Sequence, residues 1–568
     1  MSNFTNFSPL ESENSDNKSE EPGTLKLDFN ERSDQISPLI ETLPFGKTLW
    51  RYPERQRLEA KLAELNDLQP EQVLCTNGGD EAIMLLMRIV KETGSVILPL
   101  PAFSQYTWGV ESWQLNKTLI PAKADLAIDI QATQQAIKAN PKAVTIITRP
   151  NNPTGEMIPL GDLLNLVETA QAVGGWIFLD EAYIEFSEEQ SAVYSLLNQY
   201  DNLVVLRTFS KAYGLAGIRL GYLLGSKKLI KEFEQRCMPF NVAEPSLQIG
   251  IQALSVENRK DATDYCKTII RNRQQITGWL VEAGFSLVPS QANFVMIKLP
   301  PNQAKAIQSF LAKNGILVRS FQSDELINCL RITIPYNTKR LFDKLKQALW
   351  PDLICLDMDG VLIDTSNSYD ESVKATVLEL AGEKISQADI DRLKDTGGFN
   401  NDWVLTQKLL ENLGLNFELQ QVIDVFQRLY LGENNDGLVT NEERLISDRL
   451  IARINESQNC RFAIVTGRPR NEAIAGQQML NLQRLDLISL DDVEKPKPSP
   501  EGIQKLQNKY SSFSWMCGDN PDDMKAANAS NSLAVGIGER NAAALYQAGA
   551  DIVLKNINEL EAWLCQRS

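Results

Sequence analysis

The sequence predicts an α/β protein made of two successive units. Three observations predict it: short apolar runs alternate with amphipathic stretches along residues 25–350, the alternation restarts abruptly at Ile354, and 568 residues exceed what one core holds. Residues 1–22 (MSNFTNFSPLESENSDNKSEEP) are rich in Ser, Asn and Glu, so burial cannot offset their ordering entropy, and they read as a disordered arm. Residues 73–74, 95–98, 143–147, 176–179 and 203–206 read as strands of a parallel or mixed sheet. Between them, 81–90 reads as a helix, with Ile83, Leu86, Met87 and Val90 on one face behind a Gly-rich start. Beyond about residue 255 the helices lengthen and the strands thin, and 338–349 reads as a closing helix. The junction of Trp350, Pro351 and Asp352 is too short to be flexible. In the second unit, strand signals at 462–465 and 515–517 flank a helical insert at 366–453.

Composition narrows the chemistry. Hydrophobic and charged fractions of 43% and 23% are globular averages. A net charge of -16 opposes binding to nucleic acid or anionic membranes, which leaves small molecules as the expected partners. No apolar run approaches the roughly 18 residues of a membrane span, and the acidic N-terminus does not resemble a secretion signal, so the expected location is the cytosol. The eight Cys are scattered without a C-x-x-C spacing and read as reduced thiols. There is no histidine, which excludes Ser-His-Asp triads, Cys-His pairs and His-ligated metals; proton transfer falls to Lys, carboxylates and Tyr.

Two constellations carry chemistry. In Leu206-Arg-Thr-Phe-Ser-Lys-Ala-Tyr-Gly-Leu-Ala-Gly-Ile-Arg219, Lys211 lies just past an apolar strand, where it can form a Schiff base while Ser210 and Arg219 hold a phosphate. Trp176-Ile-Phe-Leu-Asp180-Glu-Ala-Tyr183 puts a carboxylate at a strand end, fit to pair with a protonated pyridine nitrogen. Arg149-Pro-Asn-Asn-Pro-Thr-Gly155 supplies the amide of Asn152 on a turn, and Asn77-Gly-Gly-Asp-Glu81 opens a helix whose free N–H groups suit a phosphate. With Asn30-Glu31, Tyr52-Pro53 and Cys329-Leu-Arg-Ile, these motifs make residues 23–350 resemble the fold type I pyridoxal-phosphate aminotransferases, most closely the histidinol-phosphate aminotransferases. The resemblance implies a large domain near 46–255 with a seven-stranded mixed sheet, a small domain from both flanks, and a homodimer. It implies that Lys211 carries the cofactor and moves the substrate proton, that Asp180 holds the ring nitrogen, and that Asn152 and Tyr183 hold the phenolic oxygen. Tyr106 would stack on the ring; Gly79, Asp80, Ser210 and Arg219 would bind the phosphate, with Tyr52 reaching over from the neighbouring subunit. Arg319 and Arg331 would grip the substrate anion. Where the family usually continues Asn-Glu-Asn-Pro, this chain has Asn30-Glu-Arg-Ser.

In the second constellation, Ile354-Cys-Leu-Asp357-Met-Asp359-Gly places two carboxylates beyond an apolar strand, one able to attack phosphorus and one to protonate the leaving alkoxide. Phe462-Ala-Ile-Val-Thr466 ends in a hydroxyl donor, Lys495-Pro-Lys-Pro-Ser-Pro500 supplies a cation, and Gly518-Asp519-Asn-Pro-Asp-Asp523 supplies paired carboxylates suited to Mg²⁺. These four motifs make residues 351–568 resemble the haloacid-dehalogenase superfamily, with a core of 351–365 and 454–568 and a helical cap at 366–453 like that of the phosphoglycolate-phosphatase branch. The resemblance implies Asp357 as nucleophile, Asp359 as general acid and base, Thr466 and Lys495 as phosphoryl clamps, and Asp357, Asp519 and Asp523 with the Asp359 carbonyl as the Mg²⁺ site. Lys497 is the alternative clamp, and 397–403 reads equally as a cap loop or a plain turn between helices. The expected function is a bifunctional enzyme, a histidinol-phosphate aminotransferase joined to a phosphatase of a phosphate monoester, with histidinol phosphate the first candidate ester. The alternatives are transamination of another amino acid, a pyridoxal-phosphate decarboxylase of an O-phospho amino acid, a phosphatase of different substrate, and a non-catalytic second module.

Overall fold

A computed structural model describes residues 25–28, 30, 32, 34–35, 38–39, 52–189, 196–396, 399, 401–433 and 436–564. The arm expected at 1–22 lies outside them. The chain forms two compact units, residues 1–299 with 315–341, and 300–314 with 342–568.

In the first unit, seven strands run in the order Val73–Thr76, Gly221–Gly225, Leu203–Thr208, Trp176–Asp180, Val144–Thr148, Ser95–Pro99, Asn116–Ile120. Gly221–Gly225 is antiparallel to both of its neighbours and every other pairing is parallel, so the sheet is mixed, as expected. Its inner parallel strands read as largely apolar runs because both faces are covered: Ile177 and Leu179 pack into one core, Phe178 into another. Each such side chain, fully buried, contributes about 1.5–3 kcal/mol. The helix Gly78–Thr93 buries Ile83, Leu86, Met87 and Val90, the face its periodicity predicts. It begins at Gly78 with φ +72°, a conformation that favours glycine. The thinning of strands expected after 255 is only partly seen. The helix Val256–Glu282 is long, but an antiparallel sheet follows in the order Arg319–Ser320, Cys329–Thr333, Phe294–Lys298, Ser286–Val288.

The second unit holds a wholly parallel six-stranded sheet, ordered Asp486–Ile488, Arg461–Val465, Leu353–Leu356, Ser514–Gly518, Leu533–Ile537, Ile552–Leu554. The insert forms four helices, Tyr369–Ala381, Gln387–Thr396, Asp402–Asn412 and Leu419–Leu431, around Val373, Leu405, Leu410 and Phe426. The chain leaves and re-enters through the antiparallel pair Ile363–Asp364 and Glu443–Arg444. The helix Gln303–Lys313 belongs to this unit too, ahead of the junction expected at 351. Polar contacts tie it there: the buried Asp551 carboxylate, just before the strand Ile552–Leu554, pairs with Lys313 at 2.8 Å and accepts from Ser309 Oγ at 2.8 Å. The indoles of Trp563 and Trp515 donate to the carbonyls of Pro301 and Gln347. No helix among the described residues is long and apolar enough to cross a membrane.

Candidate active sites

Parallel strands place their carboxyl ends along one edge, and in the first sheet that edge collects the motif residues. Asp180 ends one strand, Arg149 follows a second at Thr148, and Ser210 and Lys211 follow a third at Thr208. Asp180 is buried, accepting from the Tyr106 hydroxyl at 2.7 Å and from the Ala182 N–H at 2.9 Å. Burial pushes its carboxyl up, a shift opposed by Tyr106, Ala182 and the Lys211 charge. The Tyr106 ring is wholly buried, and its bond to Asp180 is a role that sequence reading missed. Lys211 is half-buried, its Nζ 5.6 Å from the centre of the Tyr183 ring. The Tyr183 hydroxyl accepts from Asn30 Nδ2 at 3.0 Å and Asn152 Nδ2 at 3.5 Å.

Asn152 connects this group to the candidate anion site, since Arg331 Nη1 donates to its Oδ1 at 2.7 Å while Nη2 donates to the Asp28 carbonyl at 2.8 Å. Burial brings the Arg331 guanidinium down to about 10. Arg319 is the cross-strand partner of Arg331 in the antiparallel sheet, so the two arginines expected to act together do lie side by side. At the helix start, Arg219 pairs with Asp80 at 2.6 Å, and a Cβ on Gly78 would stand 2.7 Å from its Nη2. That start also packs against Gly221, the register partner of Thr208, whose hydroxyl donates to Ser210 Oγ at 2.9 Å. Gly79, Asp80, Arg219 and Ser210 are thereby gathered around one helix N-terminus, where N–H groups favour an anion. A group with a phosphate, a basic ring nitrogen and a phenolic oxygen fits this constellation, since the buried Asp180 carboxyl offers an acceptor for a ring N–H. Tyr52 is 74% exposed and stacked on Phe240 at 4.5 Å.

In the second sheet the three middle strands, ending at Val465, Leu356 and Gly518, put Thr466, Asp357 and Asp519 at one edge. Asp357, Asp519 and Asp523 bring carboxylate oxygens within 4.8 Å of one another. Two glycines permit this approach: a Cβ on Gly360 would meet Asp519 Oδ2 at 2.0 Å, and one on Gly518 would meet Asp523 at 2.3 Å. Burial first, then the Asp523 charge, pushes Asp519 up to about 7 and Asp357 well above its ordinary range. Crowded, desolvated carboxylates of this kind fit a hard divalent cation.

One expected site residue is corrected here. Lys497, not Lys495, enters the site: its Nζ lies 2.9 Å from Asp357 and 2.6 Å from Asp523 and donates to the Val465 carbonyl at 3.1 Å. Burial opposes its charge, but Asp357 and Asp523 outweigh that and raise it. Lys495 is exposed, and its backbone N–H is taken by Glu501. The two lysines are both followed by proline, so their local sequences do not distinguish them; a buried carboxylate pair does. Lys497→Ala should therefore lower phosphate release on the order of 10²-fold, as for loss of one preorganised charge donor. Lys495→Ala should stay within about twofold, as for a surface charge. Steady-state assays of both variants check this.

Sequence reading also missed Arg468, buried at 2% side-chain exposure, which pairs with Asp359 at 2.6 Å and with Glu442 at 2.9 Å. The Arg468 N–H donates to Thr466 Oγ1 at 3.2 Å, so the motif Thr466-Gly-Arg was the available signal. The stretch 397–403 ends as a helix start, with Asn401 Oδ1 capping the N–H groups of Trp403 and Val404.

Comparison with known proteins agrees with both halves. Residues 43–349 match the model of the family described as aminotransferase class I and II, and 354–537 match haloacid dehalogenase-like hydrolase. A histidinol-phosphate aminotransferase of Methanosarcina barkeri is 34% identical over 342 residues, 57% of this chain and 89% of that protein. The chloroplastic histidinol-phosphate aminotransferase 1 of Arabidopsis thaliana is 34% identical over 331 residues, 57% of this chain and 78% of that protein. The crystal structure of the histidinol-phosphate aminotransferase from Clostridium acetobutylicum has a TM-score of 0.51 at 21% identity, covering 56% of this chain and 97% of that one, a likeness of fold.

Proposed function

Because this chain belongs to the class I and II aminotransferase family and carries a haloacid dehalogenase-like hydrolase domain behind it, we propose that it is a bifunctional enzyme acting on a phosphorylated amino alcohol. Its first activity is transfer of the amino group of L-histidinol phosphate to 2-oxoglutarate, giving imidazole-acetol phosphate and glutamate. Its second is Mg²⁺-dependent hydrolysis of a phosphate monoester, with L-histidinol phosphate the first candidate. The observation that carries the first assignment is the buried link of Tyr183, Asn152 and Arg331 beside Lys211, in a chain with 34% identical relatives named histidinol-phosphate aminotransferase.

Pyridoxal phosphate, when bound, acts as a sink for the electron pair released at the substrate Cα. Asp180 would hold its ring nitrogen protonated, Asn152 and Tyr183 its phenolic oxygen, and the Gly79, Asp80, Ser210 and Arg219 cluster its phosphate. The Lys211 amine takes the Cα proton and returns it during transfer. Arg331, with Arg319 beside it, fixes the anionic end of each substrate.

In the second site, a carboxylate oxygen of Asp357 attacks phosphorus and the ester P–O bond breaks, while Asp359 protonates the departing alkoxide. Asp359 then takes a proton from water, whose oxygen attacks phosphorus, freeing Asp357 and inorganic phosphate. Asp357, Asp519 and Asp523 would hold Mg²⁺, which offsets charge on the phosphoryl oxygens. Lys497 and Thr466 steady those oxygens.

The test is one reaction with purified protein, pyridoxal phosphate, Mg²⁺ and L-histidinol phosphate, followed by cofactor absorbance and inorganic phosphate. Conversion to the pyridoxamine form supports the first assignment and phosphate release the second; an unchanged cofactor spectrum removes histidinol phosphate as amino donor. The reading includes a cytosolic homodimer. The dimer is supported by the exposed apolar side chains of Tyr52, Met238 and Phe240, 74%, 70% and 55% accessible. A monomer mass for the holoenzyme in sedimentation would remove the dimer.

A further inference from the structure

The cleft beside Asp359 has a charge pattern that selects the leaving alcohol. Its walls include Asp359, Tyr369, Asp402, Trp403 and Arg468. Arg468 is the one cation among the described residues of that wall, and two carboxylates already hold it, Asp359 at 2.6 Å and the buried Glu442 at 2.9 Å. Glu442 is held in turn by the hydroxyls of Ser368 at 3.2 Å and Tyr430 at 2.9 Å, so Arg468 is not released by a small rearrangement. Lys394, the partner of Asp402, is likewise shared, by Asp370 at 2.7 Å and Asp402 at 3.2 Å. A fifth carboxylate, Glu472, accepts from Tyr369 and Gln427.

Each cation is thus flanked by two carboxylates, and the cleft is left with excess negative charge. The cap residues outside the described set are Gly397, Gly398, Asn400, Asn434 and Asn435, none of which is charged. An alcohol bearing a carboxylate would find no uncommitted cation here and would face Asp402. An ammonium or imidazolium would find the Asp402 carboxylate and the half-buried Trp403 ring beside it. Arg468 stands 5.1 Å from the centre of the Tyr369 ring, whose stack with Tyr430 lies at 4.5 Å, whereas Trp403, packed on one side against the core of the insert, lines the cleft with its half-buried remainder.

Resting on the reading of the second unit as a phosphatase, we infer that Asp402 and Trp403 are specificity-determining residues that select phosphate esters of cationic alcohols, amino alcohols above all, and reject those of hydroxy acids. The class of ester that the first site yields or consumes is then the class the second site hydrolyses.

The full-length holoenzyme with Mg²⁺ and no 2-oxo acid would be assayed for phosphate release from O-phosphoethanolamine, L-histidinol phosphate, phosphoglycolate and p-nitrophenyl phosphate. Both cationic esters should exceed phosphoglycolate in kcat/KM by at least about tenfold, the worth of one charged contact. Asp402→Asn should collapse that ratio and Asp402→Lys should invert it, a gain that misfolding cannot produce. Trp403→Leu, which leaves the carboxylate in place, should lower the ratio severalfold. Phosphoglycolate turned over as well as the amino-alcohol esters, or an unchanged ratio in folded Asp402 and Trp403 variants, would overturn the inference. Absence of phosphate release from every ester, p-nitrophenyl phosphate included, would overturn the phosphatase reading beneath it.

Discussion

Asp357→Asn should abolish phosphate release, by on the order of 10⁴-fold or more as for loss of a covalent nucleophile, while transamination continues at its original rate. The amide matches the carboxylate in shape but cannot attack phosphorus. Its effect on the fold should be small or favourable. Asp357, Asp519 and Asp523 crowd within 4.8 Å, and Lys497 keeps Asp523 at 2.6 Å as a partner when Asp357 is gone. Burial and mutual repulsion hold Asp357 well above its ordinary range, so removing its charge relieves a desolvated cluster. Paired assays of phosphate and glutamate, with a thermal melt, check all three expectations. Loss of both activities in the folded variant would sink the picture of two independent sites.

The second large effect is the mirror of the first. Lys211→Ala should lower transamination by about 10³-fold or more, the scale of a lost general base, and remove the absorbance of lysine-bound pyridoxal phosphate. Phosphate release dependent on Asp357 should persist. The segment tolerates the truncation because its packing comes from the neighbours: Phe209 and Ala212 are buried, whereas Lys211 is only half-buried. The variant should still bind the cofactor without the covalent link, since Asp180, Asn152, Tyr183 and the helix start at Gly78 are untouched. A variant that retains transamination within about tenfold would show that another group moves the proton.

Much of this was legible in the chain. The expected strands at 73–74, 95–98, 143–147, 176–179 and 203–206 all exist, because a strand covered on both faces is a continuous apolar run. Two others in the same sheet were not read. Asn116–Ile120 is an edge strand with only Ile120 buried, so it has no apolar run to see. Gly221–Gly225 is bounded by glycines, whose low strand preference masks a segment buried along its whole length.

The sequence by itself determined the order of the two chemistries and the identity of Lys211, Asp180, Asp357 and Asp359 as candidates, through ordered motifs and the families they resemble, and the helix face of Ile83, Leu86, Met87 and Val90, through local periodicity. The choice between Lys495 and Lys497, the Tyr106 bond to Asp180, the clasp of Arg468 by Asp359 and Glu442, and the placement of Gln303–Lys313 with the second unit were decided by tertiary structure alone. Each is a pairing between a buried charge or polar group and a partner remote in the chain. The free energy that selects it, the desolvation of a charge left unpaired, arises only when the sheet has brought those segments together.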